Sequence, residues 1–143
     1  MADTIWGNML AVQRLPPDVL SKASLRGNEY AWPVDEIPSV IEAAHYAGLV
    51  NIGGQLQFRA PEGTCECYWV EVDTFKSVPK TLPHEERVER TAVVALTEFN
   101  RLRKELNFIA EGRSAFADVL GRYEAQGGAL SEIMCYVWYV SDN

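Results

Sequence analysis

Leu49-Val50-Asn51-Ile52-Gly53-Gly54-Gln55-Leu56-Gln57-Phe58 is the stretch on which the fold turns. Two short apolar runs flank a glycine pair, which predicts an antiparallel hairpin over residues 49–58 with Gly53-Gly54 as its turn. Upstream, Ile37, Val40, Ile41 and Ala44 recur at helical spacing and predict a helix with one buried stripe. Pro33 opens that helix, where a missing N–H costs nothing, Pro38 makes its first turn irregular, and Gly48 stands where a C-terminal cap belongs. Downstream, Pro61-Glu62-Gly63 reads as a second turn and residues 64–75 as a third strand. Strict alternation places Tyr68, Val70 and Val72 on its core face, and Cys65, Cys67, Trp69, Glu71 and Asp73 on the other.

Farther out, Ser77 to Pro83 is rich in turn residues, and a long helix follows from His84 to Asn107. Its seam is Val88, Ala92, Ala95, Phe99, Leu102 and Leu106, with Glu86–Arg90 and Arg101–Glu105 as supporting pairs. A shorter helix starts at Ser114, carries Phe116, Val119, Leu120 and Tyr123, and breaks at Gly127-Gly128. Residues 133–140 form a late strand that is apolar on both faces, so it should be covered on both or lie at an interface. Near the N-terminus, Ile5, Met9, Val12 and Leu15 suggest a short amphipathic helix ended by Pro16-Pro17, with another turn over Asp18 to Lys22 and an extended run from Asn28 to Trp32. The order predicts an α+β fold, a single domain over 1–143, with an antiparallel sheet and helices packed mainly on one face.

At 143 residues, 48% hydrophobic and 23% charged, the chain has a globular composition, long enough for a self-sufficient core. No apolar run spans a bilayer, so no membrane partner is expected. Met1-Ala2-Asp3-Thr4 has no basic leader region, and three cysteines form no disulfide framework; both point to the cytoplasm. The net charge of −7 is localised. Between Gly27 and Phe75, Glu29, Asp35, Glu36, Glu42, Glu62, Glu66, Glu71 and Asp73 face only Arg59, a balance of −7, and the rest of the chain is neutral. Such a field repels phosphate backbones and attracts a basic partner, so nucleic acid is not expected as a ligand.

Catalytic and metal signatures are weak. Cys65-x-Cys67 lacks the second knuckle of a structural zinc site, and a straight strand separates the two sulfurs too far. Acidic neighbours Glu62, Glu66 and Glu71 would raise a thiol pKa, and nothing places His45 or His84 beside a cysteine. Glu71 and Asp73, two apart on one strand face, sit about 7 Å apart, which suits neither a shared proton nor a compact cage. Gly53-Gly54 is followed by a strand and so is no phosphate cradle. No catalytic residue, metal or cofactor is assigned, and the chain is read as no enzyme.

The combined order of Asn28-Glu29-Tyr30-Ala31-Trp32, a helix ending Ala47-Gly48-Leu49, Val50-Asn51-Ile52-Gly53-Gly54, a strand with Tyr68-Trp69, and Glu85-Glu86-Arg87-Val88-Glu89-Arg90-Thr91 resembles the bacterial immunity proteins of type forty, from polymorphic toxin systems. The resemblance covers residues 28–105 and divides the chain into an N-terminal segment (1–27), an immunity-like core (28–107) and a C-terminal helix and strand (108–143). It implies a non-catalytic inhibitor of a cognate toxin domain. The acidic balance makes that toxin a basic one. The preferred partner surface is Glu66, Trp69, Glu71 and Asp73, with Trp69 as anchor and the acids steering; Trp32, Asp35 and Glu36 are a second surface. Two alternatives stay open: a homo-oligomeric scaffold or regulatory domain joined through the late strand or the long-helix seam, and a small-ligand protein or enzyme whose pocket is assembled from distant residues.

Overall fold

A computed structural model describes residues 10–143; Ile5 and Met9 of the expected first helix lie outside them. After a helical turn at 10–12 come α1 (Pro17–Leu20), β1 (Ser24–Arg26), β2 (Glu29–Trp32), a 3-10 turn (Val34–Glu36) and α2 (Ile37–Tyr46). β3 (Val50–Ala60), β4 (Gly63–Asp73), a second 3-10 turn (Thr74–Lys76) and α3 (His84–Glu105) follow. The chain closes with α4 (Phe108–Ala115), α5 (Ala117–Ala125), α6 (Leu130–Ile133) and β5 (Met134–Ser141). The five strands form one antiparallel sheet in the order β1-β2-β5-β3-β4, so the fold is α+β. No helix among the described residues is long and apolar enough to cross a membrane.

The glycine pair does not turn. β3 runs straight through it, and the hairpin turn to β4 is at Pro61-Glu62 instead. Gly53 and Gly54 are paired on both sides, with Asp73 and Val72 of β4 and with Tyr139 and Trp138 of β5. A Cβ at Gly54 would lie 1.7 Å from the Val137 carbonyl oxygen, and one at Gly53, where φ is 140°, 1.9 Å from that of Val72. The glycines serve close backbone approach beside bulges, a role that shares its composition with a tight turn.

β4 also departs from strict alternation. Its register with β3 jumps from Gln55–Glu71 to Leu56–Cys67, leaving residues 68–70 bulged out of the ladder. Three extra residues reverse the phase, so Cys65 and Cys67 share the buried face with Val70 and Val72 while Tyr68 is exposed. The helical expectations fare differently. Ile37, Val40, Ile41 and Ala44 are all buried on α2, and Gly48 follows it with φ of 74°. α3 stops at Glu105, before the expected Asn107, because Leu106 is extended and the Asn107 side chain accepts from Ala110 N at 3.0 Å to cap α4. The helix expected from Ser114 begins instead at Ala117 as α5, and α4, which was not expected, precedes it with the break at Phe116.

The helices cover one face of the sheet, where Leu56, Phe58, Val70, Tyr136 and Trp138 meet α2, α3 and α4. Phe99 of α3 packs edge-on against Tyr136 at 5.1 Å. At the centre, Asn51 is fully buried and fully engaged. Its side chain donates to the Ile41 carbonyl (3.2 Å) and accepts from Trp138 Nε1 (2.9 Å), its N–H donates to Thr91 Oγ1 (3.1 Å), and its carbonyl accepts from Thr74 Oγ1 (2.7 Å).

The opposite face carries a small second cluster of Ala31, Cys135 and Val137. It is roofed because the sheet curls. Arg26 on one edge strand donates to Thr64 on the other (3.0 Å), and Arg59 of β3 reaches Ser24 of β1 (3.0 Å). β5 is therefore internal, paired along its length with β3 and at Tyr136 and Val137 with β2, and the α3 seam is buried within the chain. Neither surface named for self-association is free in this fold.

Gly54→Ala is expected to lower stability by about 3 kcal/mol or more, because the clash is with backbone on the neighbouring strand. Gly63→Ala, which meets nothing within 4 Å, is the control in urea unfolding. Equal stability of the two variants would contradict the close-approach role.

Candidate functional site

The curl of the sheet gathers a polar layer over the second cluster. Alternation along β3 supplies it: Gln55, Gln57 and Arg59 point to this face while Leu56, Phe58 and Ala60 point to the helices. Gln57 is fully buried and acts as its hub. Its amide nitrogen donates to Glu29 Oε1 at 3.0 Å and to Glu66 Oε1 at 2.7 Å, and its oxygen accepts from Arg59 Nε at 3.0 Å. The arginine also donates to the Glu29 carbonyl at 2.9 Å. Tyr139 donates its hydroxyl to the other oxygen of Glu29, and Tyr68 donates to that of Glu66. The bond to Glu66 holds the Tyr68 phenol above its ordinary pKa; burial and then the Glu29 bond do the same for Tyr139. Two carboxylates from strands on opposite sides of β3 and β5 are thus held by one amide, with their geometry fixed before any partner arrives.

Of the expected partner surface, Glu66, Glu71 and Asp73 do fall on this face, opposite Gln57, Gln55 and Gly53. Trp69 does not simply alternate with them. The bulge splays the two aromatic residues, Tyr68 toward Glu66 and Trp69 toward α4, where its Nε1 donates to Glu111 Oε1 at 2.8 Å. Tyr68 is 63% exposed and Trp69 50%. Glu71 pairs with Lys76 at 3.3 Å, and Asp73 accepts from Phe75 N at 3.1 Å.

The second expected surface is not assembled. Trp32 is a core residue whose indole donates to the Val19 carbonyl at 2.9 Å, so it offers nothing to a partner. Asp35 pairs with Arg103 at 2.9 Å and Glu36 with Lys22 at 3.5 Å. Glu62 is similarly engaged by Arg122, whose hydrogen bond holds its carboxyl below the usual range. The cations that answer these acids come from outside the acidic window, so part of its charge is neutralised by folding. Glu29, Gln57, Tyr68 and Tyr139 are functional candidates that sequence reasoning missed. The polar alternation Gln55, Gln57, Arg59 was the available signal, hidden by reading the glycine pair as a turn.

The cysteines do not converge. Cys65 and Cys67 lie on the helix side and Cys135 on the other. Among the described residues no three His, Cys, Asp or Glu side chains form a metal cage. His45 Nε2 lies 2.9 Å from Glu89 Oε1, and His84 Nε2 lies 2.9 Å from the Gly48 carbonyl. Comparison of the chain with protein-family models, with curated proteins and with solved structures finds no match.

Burial pushes the Cys67 thiol up to about 12 and the Cys135 thiol up to about 11, and it raises that of Cys65 as well. The native Cys67 and Cys135 thiols should therefore alkylate at pH 8 at least about 100-fold more slowly than those of the unfolded chain. A raised folded pKa gives stability that is complete below the unfolded thiol pKa and lost as pH climbs toward 11 and 12. Mass-spectrometric labelling with iodoacetamide checks the first expectation; fast native labelling of Cys67 contradicts it.

Proposed function

We propose that this protein is a non-catalytic binding protein, an immunity protein that neutralises a basic bacterial toxin domain in the cytoplasm through the β4 edge. The observation that carries the reading is the exposed pair Tyr68 and Trp69 at the bulge of an edge strand, with Glu66, Glu71 and Asp73 along the same strand. A half-exposed indole held by Glu111 and a phenol held by Glu66 present large apolar area with little conformational freedom left to lose. That is the character of a binding anchor. The bulge itself works against simple strand addition at this edge, since residues 68–70 break the ladder that an incoming strand would continue. Side chains, not backbone, then make the contact.

The acids have the complementary role. Glu66 and Glu29 are already fixed by Gln57, so a lysine or arginine arriving at their outer lone pairs meets ordered acceptors. Glu71 and Asp73 extend the negative potential along the strand and speed encounter. The resemblance to type forty immunity proteins supplies the toxin as the kind of partner, and the charge supplies its sign.

A low-salt pull-down from a bacterium encoding the protein, with the tagged chain as bait, should recover a stoichiometric basic protein that high salt releases. With that partner, the Glu71→Lys and Asp73→Lys double variant should associate about 10-fold more slowly or worse, while losing only about 1 kcal/mol of stability with the Asp73 cap. Trp69→Ala should act on dissociation instead, weakening binding by about 2 kcal/mol or more. Recovery of the bait alone, or unchanged kinetics in both variants, would count against this surface.

A further inference from the structure

A cavity of about 370 Å³ opens between the start of α3, the second 3-10 turn and the end of β5. Its lining is Ile52, Phe75, Lys80, Arg87, Ser141 and Asn143. Two cations converge there. Lys80 Nζ lies 5.0 Å from the centroid of the Phe75 ring, and Arg87 Cζ lies 5.6 Å from the same centroid. Among the described residues neither cation has an ion-pair partner, and the same holds for Arg14, Arg26, Arg59 and Lys104; Arg14, Arg26 and Arg59 donate to backbone carbonyls instead, as Lys80 and Arg87 do not. In a chain with 20 acids and 13 bases, two positive side chains held against one ring without an intervening carboxylate run against the general charge balance.

Arg87 is half-buried, and its Nε is shut off from solvent, and so from the cavity, with no hydrogen-bond partner. The ring beneath it offers a cation–π contact but no acceptor. An oxyanion in the cavity would stand between the two like charges, relieve their repulsion, and give the guanidinium a planar acceptor of matching shape. Ile52 and Phe75 supply an apolar wall, and Ser141 and Asn143, on either side of Asp142, stand at the rim. The volume suits a small molecule and not a macromolecule.

We propose that this cavity binds a small organic molecule through a terminal oxyanion, phosphate or carboxylate, clasped between Lys80 and Arg87. The cavity adjoins the partner surface on β4 through Asp73, which caps the turn that carries Phe75, but its ligand is set by its own residues and not by that surface. It gives an acidic binding protein one place where a negatively charged small molecule is favoured.

The test is thermal unfolding of the full chain with pyrophosphate and, separately, with citrate, at constant ionic strength made up with sodium chloride. The proposal expects a saturable rise in Tm, about 4 °C at ten times the dissociation constant, with at least one of the two probes. The probe that acts identifies the oxyanion class. Lys80→Ala, a change at an exposed side chain that leaves the core intact, should abolish most of the rise, and Arg87→Gln should do the same. A parallel amide-resonance titration should move Phe75, Arg87 and Ser141. No saturable shift with either probe, or a shift that survives Lys80→Ala undiminished, would overturn the proposal.

Discussion

The buried amide of Asn51 is the constraint on which the rest of this structure depends. One residue of β3 bonds to α2 at Ile41, α3 at Thr91, β5 at Trp138 and the second 3-10 turn at Thr74. Without it the Trp138 indole N–H would be a buried donor with no partner, whereas Thr91 and Thr74 also donate to the Arg87 and Ile52 carbonyls. The four bonds fix how far the helical layer sits from the sheet, and they fix it beside the glycine pair, where β4 and β5 approach β3 most closely. The bulge between Asn51 and Gly53 in the β5 register and the larger bulge at residues 68–70 flank this anchored point. A sheet pinned there and bulged on both sides is free to curl away from the helices.

That curl makes the functional surface. It brings Arg26 and Arg59 across to the opposite edge, covers Ala31, Cys135 and Val137, and places Glu29 and Glu66 on one amide. The same bulge that reverses the phase of β4 pushes Tyr68 and Trp69 into solvent. Fold and candidate site are therefore linked through backbone irregularities and not through any catalytic constellation.

Much of the fold was legible in the sequence, because periodicity reports burial directly. The α2 stripe, the α3 seam, the Pro61-Glu62 turn and the late strand all follow from spacing alone. What was hidden has specific causes. Gly53-Gly54 has the composition of a hairpin turn, and only the neighbouring strands reveal that close approach is what it serves. Three bulged residues cannot be counted from a single strand, so Cys65 and Cys67 were assigned the wrong face. Trp32 sits beside acids in sequence but under α1 in space. The charge window was read correctly as a sequence feature, yet Arg103, Lys22, Arg122 and Lys76 return to it through tertiary contacts. Glu66, Glu71 and Asp73 do share a face; Glu29, which joins Glu66 through Gln57, lies on a strand that only the topology brings near.

The most direct test of this account is urea unfolding of Asn51→Leu, followed in parallel by tryptophan fluorescence and by labelling of Cys135. Trp32 and Trp138, the two tryptophans of the helix-side core, report that side and Cys135 the curled side. The account predicts a loss of about 3 kcal/mol or more, with both transitions moving together. A loss below about 1 kcal/mol, or a Cys135 transition that stays at its wild-type midpoint, would show that the two faces do not depend on this residue.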